Sequence, residues 1–559
     1  MSTRPKTPPT SPFLSARTFV PLLACLTALA LAIPPSAPLV QGNDPGLQAA
    51  GWDDASFLSD YNPMQYEGSM YRVVQRVGAH YAWTQGYTGQ GIDIALIDSG
   101  VVPVDGLTAP GKVINGPDLS FESQAENLRY LDTYGHGTHL AGIMAGRDDA
   151  VSEPTLANAY DHFIGVAPDA RIVNVKVADS RGATDVSQVI AAIDWVVQHR
   201  NDNGMNIRVV NLSYGTDGTQ DYLIDPLAFA VEQAWKAGIV VVVAAGNDGE
   251  GSLLRNPATD PFVIAVGASE GQNMKSQKPV ADFSSCGTAE RHVDVLAPGK
   301  SIVGLRNPGS YADTNYPQAT VVDRLFLGSG TSQAAAVTSG VVALLLEQRP
   351  ELTPDEVKGL LMNTAEGTRR LDPICGGEGE VDLYSALWKK APNKKQGFEW
   401  STGTGSLEAA RGNSHIYDEG VALTGEQDIF GTAWDGASWS TLAAAGASWS
   451  GGDWNGSTWT GASWSSASWS GASWSSASWS GASWSGASWS SKSWSSASWS
   501  GASWSGDSWS SASWSGASWS GNVWQGSRCG GCHARPQLAL ADQSAPAWLA
   551  SQTCKPLVS

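Results

Sequence analysis

The chain has 559 residues, 42% of them hydrophobic and 16% charged, and a formal net charge of -19 at pH 7. That length admits several domains and at least one large core. The acidic balance excludes a nucleic-acid or anionic-membrane partner, since either would need clustered Lys and Arg facing phosphates.

In chain order, basic residues (Arg4, Lys6, Arg17) precede the apolar run "FVPLLACLTALALAI" and then small residues in "PPSAPLVQG". That order describes a secretory signal over 1–42. The run is short for a bilayer span and contains Pro21, so a retained anchor is the lesser reading; a lipid anchor on Cys25 is weaker still, because the apolar segment continues past it. The mature protein is expected outside the cytoplasm, secreted or at the cell surface. Five cysteines then remain, Cys286, Cys375, Cys529, Cys532 and Cys554, an odd count that leaves the pairing open.

After a short extension (43–80), residues 81–390 alternate between two patterns. "GIDIALID", "RIVNVKVA", "IRVVNLSYG", "GIVVVVAAGN" and "FVIAVGA" are β-rich runs that end in turn residues, whereas "DVSQVIAAIDWVVQHR" and "LIDPLAFAVEQAWKAG" space apolar residues by three and four. The alternation predicts an α/β domain, a mostly parallel sheet flanked by helices, with its chemistry at the C-terminal ends of strands. Residues 391–432 read as a linker and small β element, 433–526 as a tryptophan repeat, and 527–559 as a cysteine-containing tail.

Three motifs fall where such a sheet would place reactive groups. "IALIDSG" sets Asp98 at a strand tip, "GHGTHLAGIMAG" sets His136 at a helix start, and "GSGTSQAAAVTSG" sets Ser332 in the first turn of another helix. Alone, each reads more simply as a cap or turn residue. Together they are the groups acyl transfer needs: a serine to attack a carbonyl, a histidine to move the proton, and an acid to hold the imidazole tautomer. Asn247, in "VVAAGNDG" after a buried strand, offers an amide donor to a developing oxyanion, and the Ser332 backbone N–H at its helix start is the second.

In this order and in the segments "DSG", "HGTHLAG", "AAGN", "GTS", "GVAPDARIVNVKV", "DFSSCG" and "VLAPG" the sequence resembles the subtilisin-like serine peptidases over roughly 81–388. The resemblance implies a serine endopeptidase with protein or peptide substrates and no required cofactor. It implies that Asn211, Leu212, Ser213, Tyr214 and Gly215 ("NLSYG"), with the "DSRGATD" loop, flank an extended peptide as added strands, and that His139 is structural. Ala336 and Val337 stand where many members have Pro-His, which predicts a differently packed start to the nucleophile helix. The roughly forty residues between signal and domain are few for the folding-assistant propeptide usual in secreted members. The loop "RDDAVSEPTLANAYDHF" is longer than the usual calcium loop; its Asp148, Asp149, Glu153 and Asp161 read first as a solvated acidic loop and second as a structural Ca²⁺ site, so no metal ligand is assigned.

From Trp434 to Trp524 in steps of five there are nineteen positions, and eighteen hold tryptophan; Ala444 is the exception. A helix would spiral these indoles around every face and a continuous strand would flip them between faces. The unit resembles pentapeptide-repeat solenoids, with low-complexity disorder as the competing reading; the array would serve as a spacer or attach to cell-wall or other surfaces. "CGGCH" (Cys529, Cys532, His533) matches a c-type haem attachment pattern, but a disulfide, or a pairing with Cys554, is the better explanation. The leading expectation is therefore a secreted serine endopeptidase. A catalytically silent surface-binding relative is the alternative, and a haem protein a distant third.

Overall fold

The computed structural model describes residues 61–459 apart from 124, 126, 152, 271–278, 368–370, 394, 419–420 and 451. The signal segment, the repeat beyond Trp459 and the cysteine tail lie outside the described residues.

Seven strands form one sheet: β1 (Asp93–Asp98), β2 (Val113–Asp118), β3 (Arg171–Lys176), β4 (Ile207–Leu212), β5 (Val240–Ala244), β6 (Ile264–Ser269) and β7 (Val295–Pro298). Their spatial order is β2-β3-β1-β4-β5-β6-β7 and every neighbouring pair is parallel. Runs such as "DIALID" and "VVVVA" are buried at every position, as strands covered on both faces must be. The order reverses at β1, which has β3 on one side and β4 on the other, so a crevice opens beyond its C-terminal end.

The main covering helices are α1 (His136–Ala145), α2 (Val186–His199), α3 (Pro226–Lys236), α4 (Thr331–Gln348) and α5 (Pro354–Thr364). Their starts are written in the sequence. Asp185 and Gln188 form a reciprocal capping box on α2, Thr353 and Glu356 do so on α5, and Asp225 with Pro226 opens α3. Helix α4 lies across β4 to β7 and packs against α1, whereas α2 and α3 pack on one another. It is buried from Thr331 to Leu346. Small residues allow that depth: a Cβ on Gly340 would lie 2.5 Å from the Val166 Cβ. Ala336 and Val337 sit fully buried within this unbroken helix. Cys286 and Cys375 form a disulfide across 89 residues.

The chain then turns back over the α2/α3 layer. A short helix (Leu407–Arg411) and a two-residue hairpin (Tyr417–Asp418 with Val421–Ala422) lead to α6 (Gly436–Ala444) and a small antiparallel meander (Trp449–Ser450, Asp453–Trp454, Ser457–Thr458). The first five-residue units are thus divided between a helix and a meander, and their indoles point inward. Trp439 and Trp454 are fully buried, and both donate their Nε1–H to Asp194 Oδ2 on α2, each at 2.8 Å; Trp449 donates to the Ala191 carbonyl at 3.0 Å.

Candidate active site

Asp98 is the last residue of β1 and is completely buried. His136 is the first residue of α1, and its Nδ1 lies 2.9 Å from each Asp98 carboxylate oxygen. Burial pushes the Asp98 carboxyl above the usual carboxylate range, while the His136 ring and the Ser99 backbone N–H draw it back toward the ionised form. With Nδ1 committed to Asp98, the imidazole presents Nε2 from its opposite edge.

Two residues that sequence reasoning missed hold this pair. Asp132 accepts hydrogen bonds from the backbone N–H groups of Tyr134, Gly135 and Thr138, at 3.1, 2.6 and 2.8 Å, and so caps α1 in place of its side-chain-free N-cap, Gly135. Ser99 Oγ donates to Asp132 at 2.8 Å and accepts from the Gly137 N–H at 3.0 Å, tying the tip of β1 to the start of α1. An acid a few residues ahead of "GHGTH" is a capping signal that could have pointed to Asp132. Gly137 is required by close approach: a Cβ there would sit 2.1 Å from the Gly100 carbonyl oxygen and 3.2 Å from an Asp98 oxygen.

Ser332 is the second residue of α4, on the helix that packs against α1. Asn247 follows β5, and its Oδ1 accepts from the Thr331 backbone N–H at 2.8 Å and the Thr331 hydroxyl at 3.0 Å. A backbone N–H can only donate, so this contact fixes the amide's orientation and turns the Asn247 Nδ2 donor away from Thr331. Asn247 and the start of α4 are thereby locked to one another.

The "NLSYG" segment runs off the end of β4. Asn211 bridges to α4, accepting from Ser339 Oγ at 3.0 Å and donating to Ser213 Oγ at 3.0 Å; Ser213 Oγ in turn donates to the Ser332 carbonyl at 3.3 Å. Asn211, Leu212, Ser213 and Tyr214 are buried, so the segment sits beside α4 with its side chains committed to the core. A Cβ on Gly215 would meet the Arg255 Cβ at 2.5 Å. His139 lies apart from this chemistry. Its Nε2 is 3.1 Å from the Phe326 carbonyl, its ring fills the space left by Gly304 and Gly328, and burial pulls its pKa down to about 3.

Among the described residues no group of three or more His, Cys, Asp or Glu is placed to hold a metal ion. Asp148 is committed to the Arg324 guanidinium, at 2.5 and 2.8 Å, and to the Phe163 N–H at 2.9 Å.

A buried acid at a strand end and a buried imidazole on a helix packed against one whose second residue is serine fit the serine-hydrolase class. Comparison with known proteins carries this further. A Subtilase family model matches residues 89–405. Serine protease AprX of Bacillus subtilis (strain 168) is 37% identical over 312 residues, covering 54% of this chain and 67% of AprX. Subtilisin E of the same organism is 32% identical over 337 residues, 58% of this chain and 74% of its own. Subtilisin of Bacillus pumilus is 32% identical over 323 residues, covering 56% and 97%. The chain belongs to the subtilase family and is a serine-type endopeptidase. The family match ends at residue 405, ahead of the short helix at Leu407 and the tryptophan segment.

Proposed function

We propose that Ser332, His136 and Asp98 carry out peptide-bond hydrolysis through an acyl-enzyme. Ser332 Oγ attacks the scissile carbonyl as His136 Nε2 takes its proton; His136 then protonates the leaving amine and activates the water that releases the acyl group. Asp98 holds the tautomer and stabilises the imidazolium. Asn247 Nδ2 and the Ser332 backbone N–H, at the positive end of α4, stabilise the oxyanion. The substrate lies extended along Asn211–Gly215, held by main-chain hydrogen bonds in the manner of an added strand. The observation that carries the reading is the 2.9 Å contact of His136 Nδ1 with both oxygens of the buried Asp98.

The enzyme acts outside the cytoplasm. Two observations support this: the basic-apolar-small order of the N-terminus and the Cys286–Cys375 disulfide. No helix among the described residues is long and apolar enough to cross a membrane.

Purified chain and its Ser332→Ala variant are compared for casein hydrolysis and for covalent labelling by a fluorophosphonate. The parent hydrolyses and labels, and the variant does neither. Labelling that persists in Ser332→Ala would remove Ser332 from the mechanism.

A further inference from the structure

A strap formed by residues 406–418 and 421–427 lies beyond the stretch shared with the family, yet it grips both walls of the proposed peptide groove. On one wall, Asp185 is the last residue of the "DSRGATD" loop and the N-cap of α2. Arg411 meets it with Nε 2.6 Å from Oδ2 and Nη2 3.3 Å from Oδ1, and both side chains are fully buried. The rest of the guanidinium is spent within the strap: Nη1 donates to Gly425 O at 2.8 Å and to Glu408 Oε2 at 3.3 Å, and Nη2 donates to Gln427 O.

On the other wall, the chain leaving "NLSYG" is held just past Gly215. Thr216 Oγ1 donates to the Ala410 carbonyl at 2.6 Å. The Asp217 carboxylate accepts from the Asn413 backbone N–H at 2.7 Å, its Nδ2 at 2.8 Å and Ser414 Oγ at 3.2 Å. A short helix of five residues, Leu407–Arg411, and the turn that follows it thus carry the ties to both walls.

Two segments that must flank a peptide keep their spacing only if something fixes it. Here the Arg411 guanidinium, whose planar fork matches a carboxylate, holds Asp185, while the adjoining Ala410 carbonyl, Asn413 and Ser414 hold Thr216 and Asp217. We propose that this strap is part of the substrate-binding apparatus, with Arg411 the positioning residue that sets the distance between the 179–185 loop and the 211–217 segment. It thereby governs affinity for extended peptides without touching the reacting atoms. This rests on the assignment of Asn211–Gly215 as the peptide-binding strand.

The test uses the full chain and peptide p-nitroanilides of one to four residues, sharing the residue at the scissile bond and chosen from sites the parent cleaves in casein. Arg411→Lys keeps the charge but cannot satisfy two carboxylate oxygens and two carbonyls at once. KM for the four-residue substrate should rise about five-fold or more. Turnover of the one-residue substrate and the rate of fluorophosphonate labelling should stay within about two-fold. Asn413→Ala, which removes the Nδ2 donor to Asp217 and leaves the backbone N–H and Ser414 Oγ in place, should move KM the same way by less, and it decides the matter should Arg411→Lys not fold. Unchanged KM for the long substrate in the folded variants overturns the proposal, as does an equal loss for every substrate and for labelling. If the parent itself shows no dependence on peptide length while hydrolysing normally, the strand-binding assignment fails first, and the positioning role falls with it.

Discussion

Asp194 offers a direct test of how the tryptophan segment is held. It sits mid-helix in α2, almost wholly buried, and its partners are neutral donors: the indoles of Trp439 and Trp454, both on Oδ2, and the Ser448 side chain. Burial pushes its pKa from an ordinary 3.8 up to about 6, against the pull of those hydrogen bonds. Because the folded state holds this proton more tightly than the unfolded chain, the group's contribution is fully present below pH 3.8 and is lost as pH rises through about 6. A displacement of this size corresponds to about 3 kcal/mol. Asp194→Asn keeps an oxygen for the two indoles and cannot ionise. In a Ser332→Ala background, which prevents self-digestion, calorimetric melting of variant and parent is compared between about pH 4 and about pH 7. Over that span the difference should grow in favour of asparagine by about 2 kcal/mol, on the order of 3 °C in Tm. Comparing the pair cancels other raised carboxyls in that range, such as Asp179 and Asp428, each at about 7. Parallel curves, or a parent that gains on the variant as pH rises, would refute the reasoning.

Two further outcomes are expected. Asn247→Ala should lower kcat by the amount typical of losing one oxyanion donor, about 10²- to 10³-fold, with little change in KM; an unchanged kcat would exclude the role. Because it also strips the buried Thr331 N–H of its acceptor, the same variant should lose about 1–3 kcal/mol of stability in a melting experiment. Gly137→Ala forces a methyl against the Gly100 carbonyl and the Asp98 carboxylate. It should lower both turnover and Tm, with a cost of about 1–3 kcal/mol, and wild-type kinetics would show that α1 can shift without disturbing the Asp98–His136 contact.

The sequence alone determined the alternation of buried strands and amphipathic helices, because fully covered strands read as unbroken β-branched runs and helices such as "DVSQVIAAIDWVVQHR" space their apolar residues by three and four. It also placed Asp98, His136, Ser332 and Asn247 at element ends, where turn residues mark the boundary. Local pattern could not show which distant groups meet. Asp194 looks like an ordinary polar position on an amphipathic helix, and only the folded chain brings it two indoles from 245 and 260 residues away. Arg411 stands in a stretch that reads as linker, yet it is buried against Asp185, 226 residues earlier. A period of five argues that no single helix or strand can bury all the tryptophans together. It is silent on the outcome seen for the first units, because what draws those indoles inward is the surface of another layer. Periodicity records the backbone's local geometry, whereas a buried carboxylate finding its donors is a matter of which surfaces the fold brings into contact.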